Sequence, residues 1–344
     1  MKRVAIIGGG LAGTSCAYVL KQSGLDPVLY EAGGQIAPGA SGNARGLYNP
    51  RLSAERSPES AFYAAAFFAA LSLFGELKDS IDWTPCGALH LMTDDTKSKR
   101  FRQCAVHWGW AEDDMRIVTA AEASVIAGVD ISHDALYLTR SGFVSPAQLC
   151  AYYARGIECH FNAPMTDLAT LKADAIIIAN GMDARRFMNL PLKAVRGQVT
   201  DIAPSPVSHR IKTCLNYGGY MTPAVAGTHM VGSTFQRWLD HSQIIPEDDA
   251  DNLDKMMRAV PALRGDYTMT GHRAAVRTTT PDHMPIIGRV PGHENIYIST
   301  AHGSHGILSS LMGAQILATM IQDAPSPLDE DVLGRLNPNR FSAS

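Results

Sequence analysis

Val4-Ala5-Ile6-Ile7-Gly8-Gly9-Gly10-Leu11-Ala12-Gly13, near the start of the chain, is an apolar run that ends in a glycine-rich turn. An apolar, partly β-branched run reads as a buried parallel strand, and the glycines at 8, 10 and 13 have the G-x-G-x-x-G spacing of a dinucleotide turn. Gly8 allows the tight turn out of the strand, and Gly10 lets backbone N–H groups approach a pyrophosphate. Gly13 lets the next helix sit close to the sheet with its N-terminus aimed at the anion. An apolar helix (Cys16, Ala17, Val19, Leu20) and a second strand over residues 27–30 follow. That strand ends on Glu31, about twenty residues beyond the fingerprint, where a carboxylate accepts ribose hydroxyls and disfavours a 2′-phosphate. The bland reading is a glycine-rich turn that binds nothing. These residues leave NAD and FAD both open.

A chain of 344 residues suits two domains rather than one. With 46% apolar and 18% charged residues and a net charge of −3, it has a globular composition. Nothing global draws it to nucleic acid or acidic membranes. The six cysteines (16, 86, 104, 150, 159, 214) include no C-x-x-C pair, so neither a zinc ribbon nor a disulfide framework is expected, and a reduced cytoplasm is the expected compartment. No membrane-spanning run and no membrane partner are expected. The fingerprint starts at residue 4, which reads as a free-standing chain.

Further along, residues 61–77 read as a mostly buried helix, 83–92 as a strand, and 94–115 as a polar helix. Residues 119–126 read as a short helix whose Thr119 and Glu122 have capping-box spacing. Residues 173–181 are a second buried strand that returns to the first sheet. Alternating stretches at 198–202, 212–217 and 229–232 predict an antiparallel sheet, and 247–260 a charged, exposed helix. Residues 295–299 read as a strand and 307–321 as an apolar helix. The expected class is α/β: a Rossmann-like nucleotide-binding domain, with a mainly antiparallel α+β substrate domain inserted. The expected division is 1–80, 138–191 and 275–344 for the first and 81–137 and 192–274 for the second.

That interrupted layout resembles the FAD-dependent D-amino-acid oxidase/glycine oxidase superfamily over nearly the whole chain. Its landmarks here are residues 8–13 with Glu31, Ala179-Asn180-Gly181 and Val195-Arg196-Gly197-Gln198. Further landmarks are Arg277-Thr278-Thr279-Thr280-Pro281-Asp282 running on to Gly288, Ala301-His302-Gly303-Ser304-His305-Gly306, and residues 337–341. Within it, Gly39-Ala40-Ser41-Gly42-Asn43-Ala44-Arg45-Gly46 is similar to the oxidoreductase half of the tRNA 5-methylaminomethyl-2-thiouridine biosynthesis family, as are Tyr217-Gly218-Gly219-Tyr220-Met221-Thr222-Pro223 and residues 275–288. Two departures stand out: that family's methyltransferase domain is missing from this chain, and Tyr48 sits one step early before Pro50.

The resemblance implies a glutathione-reductase type of nucleotide-binding domain with non-covalent FAD, since Ala274, Ala275 and Val276 stand where some relatives carry a tethering cysteine. It places the cofactor on Gly8, Gly10, Leu11, Ala12, Gly13, Glu31, Ser41, Gly42, Asn43, Arg45, Gly181, Gly303, Ser304, His305, Gly306 and Ile307. Arg277 is the expected carboxylate anchor, because its planar fork meets a carboxylate bidentately; the bland alternative is an ion pair with Asp282. Tyr220 is read as a hydroxyl donor or a core tyrosine, and His302 as a polar wall of the site. The i, i+3 pair His302 and His305 has no third ligand motif, so no metal is expected. The implied activity is FAD-dependent oxidation of an amine C–N bond with oxygen as acceptor, removing a carboxymethyl group as glyoxylate from carboxymethylaminomethyl-uridine at the tRNA wobble position. The implied partners are a carboxylate-bearing amine, tRNA, and a separate methyltransferase. Arg45, Arg51, Arg56, Lys97, Lys99, Arg100 and Arg102 are candidates for a basic tRNA surface, or are ordinary solvated charges. The alternative activity is a glycine, D-amino-acid or sarcosine-type oxidase on a free small amine; a flavin-binding protein without turnover is a third reading.

Overall fold

The computed structural model describes residues 1–341, so the last three residues of the expected 275–344 segment lie outside the described residues. A six-stranded sheet has the order β16 (Ile286–Arg289), β17 (Ile296–Thr300), β10 (Ala175–Ile178), β1 (Arg3–Ile7), β2 (Asp26–Tyr30), β9 (Glu158–His160). Its pairings are parallel except β16 against β17. Val4 and Ile6 are fully buried on β1, as a strand covered on both faces requires. The turn after β1 has Gly8 at φ 113, and a Cβ there would lie 2.6 Å from Ala179 O. A Cβ on Gly13 would lie 1.8 Å from Gly8 O, so only glycine lets α1 (Leu11–Gln22) settle onto the turn. Cys16, Ala17 and Leu20 of α1 then pack with α5 (Pro146–Tyr153) and α7 (Gly306–Gln322) in the largest core.

An eight-stranded sheet runs β15 (Met269–Thr279), β11 (Lys193–Ile202), β14 (His229–Gly232), β13 (Tyr220–Met221), β12 (Cys214–Asn216), β5 (Ala88–Leu91), β7 (Ala135–Leu138), β6 (Met115–Val118). It is antiparallel save for β12 against β5. A small sheet joins β3 (Gly46–Leu47), β8 (Phe143–Val144) and β4 (Trp83–Thr84). The architecture is thus mixed α/β. The expected boundary at 275 cuts through β15, which stays paired with β11 from Met269 to Thr279.

Other expectations need correction. The strand expected over 83–92 is two, β4 and β5, because Gly87 at φ 77 turns the chain between two sheets. The helix expected over 94–115 is α3 (Asp95–Trp108), stopped by left-handed Gly109 at φ 55, and Met115 opens β6. The Thr119–Glu122 capping box does form, at the start of α4 (Ala120–Ala127). The charged helix, α6 (Pro246–Ala259), is not an exposed one: Asp248, Asp249 and Asn252 are buried. By length and composition α2 (Pro58–Leu77) can cross a membrane, contrary to the expectation of no such run. Its Phe62, Phe67, Ala70 and Phe74 are fully buried in the core it shares with α7 and α8 (Glu330–Leu336). Cys16 and Cys214 are fully buried and all six cysteines are free.

Candidate active site

A cavity of about 880 Å³ runs from the Gly8 turn, past the ends of β1 and β10, to Arg277 on β15. Two helices begin at it. α1 starts at Gly10 and α7 at His305, neither with a side-chain cap nor an acidic residue in its first turn. Leu11 N–H donates to Ser41 Oγ at 2.9 Å, and Leu11, Ala12, Gly306 and Ile307 line the cavity. The two helix N-termini give it the positive end of two helix dipoles, with one N–H of α1 already taken by Ser41. Glu31 is held in place by Gly9 N–H and Gly33 N–H, each 2.6 Å from a carboxylate oxygen. Asn180 Oδ1 is buried at the cavity without a protein partner. An elongated cavity with anion-favouring helix ends, a carboxylate and an orphaned acceptor fits an adenine dinucleotide carrying a ring system.

At the far end Arg277 sits opposite Val195 in the β11–β15 register. Its Nη2 donates to Ser233 Oγ at 2.9 Å, while Nη1 is shielded from solvent and has no partner. A Cβ on Gly197 would lie 2.1 Å from that Nη1, so glycine in Val195-Arg196-Gly197-Gln198 makes room for the guanidinium. Burial lowers the Arg277 pKa, and the neighbouring Tyr220 opposes the shift. Burial pushes the Tyr220 hydroxyl up to about 12, so it stays protonated. Arg277 does not pair with Asp282, whose carboxylate is taken by Arg340 at 2.8 Å. Asn49 and Asn216 also line the cavity, joined by an Nδ2–Oδ1 bond of 3.2 Å. That bond leaves one buried acceptor, Asn49 Oδ1, and one buried donor, Asn216 Nδ2, unused.

Arg277, Tyr220 and His302 all reach the cavity, as do Gly8, Gly10, Leu11, Ala12, Glu31, Ser41, Asn43, Gly181, Gly303, Ser304, His305, Gly306 and Ile307. Three candidates do not line it. Gly13 supports the helix from behind, and Gly42 gives room to the guanidinium of Arg273. Arg45 turns away and donates to Thr228 O, Thr228 Oγ1 and Val225 O at the β13–β14 turn. The loop cation near Asn43 is instead Arg273, which donates to Asn43 Oδ1 and Gly39 O. His302 contacts Ser299 Oγ and Ser309 Oγ through its two ring nitrogens, and burial holds it at about 4, a neutral polar wall. Among the described residues no cluster of three His, Cys, Asp or Glu could hold a metal ion. Asn49, Asn216, Ser233 and Phe235 carried no sequence signal, because three separated parts of the chain deliver them: the segment after β3, the end of β12 and the segment after β14. Tyr48 is wholly buried and accepts from Trp83 Nε1 at 2.9 Å, so the one-step shift places it in the core and Asn49 in the cavity.

A parallel sheet carrying a glycine turn, joined by one long cavity to an antiparallel sheet, defines the class of flavin-dependent oxidoreductases. The model of the FAD dependent oxidoreductase family matches residues 3–320, and the chain belongs to that family, whose cofactor is FAD. The chain is 32% identical to the tRNA 5-methylaminomethyl-2-thiouridine biosynthesis bifunctional protein MnmC of Hahella chejuensis, covering 99% of this chain and 60% of that protein. It is likewise 32% identical to the MnmC protein of Idiomarina loihiensis, covering 98% and 58%. The chain therefore spans about three fifths of the length of these curated relatives. In fold it is similar to glycine oxidase from Geobacillus kaustophilus (TM-score 0.84, 20% identity, 99% of this chain and 100% of that one). It is also similar to iminodiacetate oxidase from Chelativorans sp. BNC1 (TM-score 0.81, 21% identity, 98% and 99%).

Proposed function

We propose that the chain oxidises the C–N bond of an N-carboxymethyl amine and that its substrate is carboxymethylaminomethyl-uridine in tRNA. The observation that carries the reading is Arg277, a shielded guanidinium with Nη1 unpaired at the cavity. A buried, unpaired cation donor is costly, and a substrate carboxylate satisfies it. Likeness to the MnmC proteins over nearly the whole of this chain supports the RNA-borne substrate.

FAD, bound non-covalently, supplies the two-electron acceptor. The chain supplies position: Arg277 holds the carboxylate, and Tyr220, neutral up to about 12, offers a hydroxyl beside it. Asn49 Oδ1 is an acceptor for the amine N–H, and Asn216 Nδ2 a further donor. His302 stays neutral, so it adds no charge to compete with Arg277 for the carboxylate. Removal of a hydride from the carboxymethyl carbon and a proton from nitrogen leaves an imine. Water adds to its carbon, the C–N bond breaks, and glyoxylate and the primary amine leave. Dioxygen takes the two electrons and two protons as hydrogen peroxide. In this reading residues 1–80, 138–191 and the chain beyond β15 form the cofactor domain, and the eight-stranded sheet belongs to the substrate domain.

A peroxide assay should compare carboxymethylaminomethyl-uridine tRNA with glycine, sarcosine and D-alanine. Turnover of tRNA above the free amines supports the reading. Turnover of free amines with none of tRNA moves the chain to the amino-acid oxidase alternative.

A further inference from the structure

Beside the main cavity lies a second hollow of about 430 Å³, walled by β11, β15 and the 235–245 loop. Arg185, Lys193 and Arg237 line it, all exposed, and none pairs with a carboxylate among the described residues. Asp240 is its one acidic lining residue. The exposed His283 ring sits among like charges: partial burial, then Arg237, Arg51 and Lys193, lower its pKa, while Asp282 opposes them. Trp238 also lines the hollow, with 76% of its surface exposed.

The hollow neighbours the active site. Asp240 lines both spaces, and Phe235, on the main cavity, carries the Arg237 guanidinium 5.4 Å from its ring centroid. The loop bearing these side chains is tied down by Arg196. Arg196 and Gln236 exchange backbone hydrogen bonds of 2.9 Å, and the Arg196 guanidinium reaches Gln236 Oε1 at 2.6 Å and Gln243 O at 2.5 Å. Trp238 is therefore carried between two anchored points and presented rather than left on a free loop.

Cations that are unpaired, next to an aromatic face and next to the cavity that takes the reacting group, match one ligand chemistry: phosphodiester oxygens joined to a planar base. We propose that this hollow binds a nucleotide neighbouring the substrate nucleoside in an RNA strand, its base against Trp238 and its phosphates against Arg185, Lys193 and Arg237. The inference rests on the RNA reading of the active site, and it adds that the chain itself reads the flanking strand.

The test uses FAD-loaded protein and an anticodon stem-loop RNA with an unmodified wobble uridine, so binding is measured without turnover. The readout is the fluorescence anisotropy of a dye-labelled stem-loop, measured over a salt series. Trp238→Ala should weaken binding about tenfold, and Arg237→Gln or Lys193→Gln should lower the slope of log affinity against log salt by roughly one each. With modified tRNA the Trp238→Ala loss should fall on KM rather than kcat. Stem-loop binding lost in Trp238→Ala supports the hollow even if wild-type protein fails to oxidise modified tRNA, in which case only the activity reading falls. Oxidation of tRNA with affinity and salt slope unchanged in all three variants overturns the hollow and leaves the activity. Absence of stem-loop binding by wild-type protein, or equal affinity for a free mononucleotide, also overturns it.

Discussion

Arg277 meets two demands that conflict unless a ligand arrives. Its guanidinium is desolvated enough for its pKa to fall, yet one of its nitrogens has no protein partner. Replacing it by methionine removes the charge and much of the hydrogen bonding while keeping a long apolar stem. Arg277→Met should cut kcat/KM for carboxylate-bearing amines by roughly 10²–10⁴-fold, the cost of truncating one member of a buried charge pair. Steady-state kinetics on paired substrates with and without the carboxyl group would check this, and an equal loss on both would remove Arg277 from carboxylate binding. Arg277, Tyr220 and His302 were singled out through the family resemblance, which contiguous motifs carry, and all three line the cavity. Asn49 and Asn216 were not, since what marks them is two leftover hydrogen-bonding atoms that only the folded chain brings together.

Strand β11 shows what a short motif does physically. In Val195-Arg196-Gly197-Gln198, alternate residues project to opposite faces of the sheet. Gly197 opens space for Arg277, while Arg196, fully buried, pairs with Asp248 and Gln198 reaches Asp249 at 2.9 Å. Gly197→Ala should therefore displace the guanidinium and raise KM for carboxylate substrates by about tenfold or more, since the new methyl must push a buried charged group aside. A crystal structure of that variant with Arg277 unmoved would refute the account of the glycine. Asp248→Leu leaves Arg196 buried and unpaired, and should destabilise the fold by about 3–5 kcal/mol in urea unfolding. α6 reads as a charged, solvent-facing helix in sequence because pattern analysis treats acidic residues as surface. The arginine and glutamine that bury them lie some fifty residues earlier on another element. Likewise the expected strand over 83–92 is one run by pattern, yet Gly87 splits it between two sheets.

Over the whole molecule, three half-buried histidines contribute to the response to acid. Burial holds His90, His302 and His305 each at about 4, against an ordinary value of 6.5. Between those values the unfolded chain binds more protons than the folded one, so stability rises with pH. Stability should be full above about pH 6.5 and fall steadily toward about pH 4, with a shallower fall in His90→Gln. Urea midpoints across that window decide it; a flat profile would contradict neutral burial. The parallel sheet and its glycine turn were legible from residues 4–13, because that turn's geometry is local and demands glycine. The eight-stranded sheet was legible only as a texture, since its pairings run from residue 88 to residue 279. Of the sequence's candidate basic surface, Lys97 and Arg102 are each paired with a carboxylate, whereas Arg51, Arg56, Lys99 and Arg100 are not; Arg185, Lys193 and Arg237 form a second group of cations without a carboxylate partner among the described residues.

In the proposed reaction the chain takes a carboxymethyl group off an RNA-borne amine and releases it as glyoxylate. The most direct measurement incubates FAD-loaded protein with carboxymethylaminomethyl-uridine tRNA, digests the RNA, and quantifies nucleosides and glyoxylate together. One glyoxylate for each aminomethyl nucleoside formed, with both abolished in Arg277→Met, is the result predicted. Unaltered nucleoside alongside glyoxylate made from free glycine or sarcosine would contradict it.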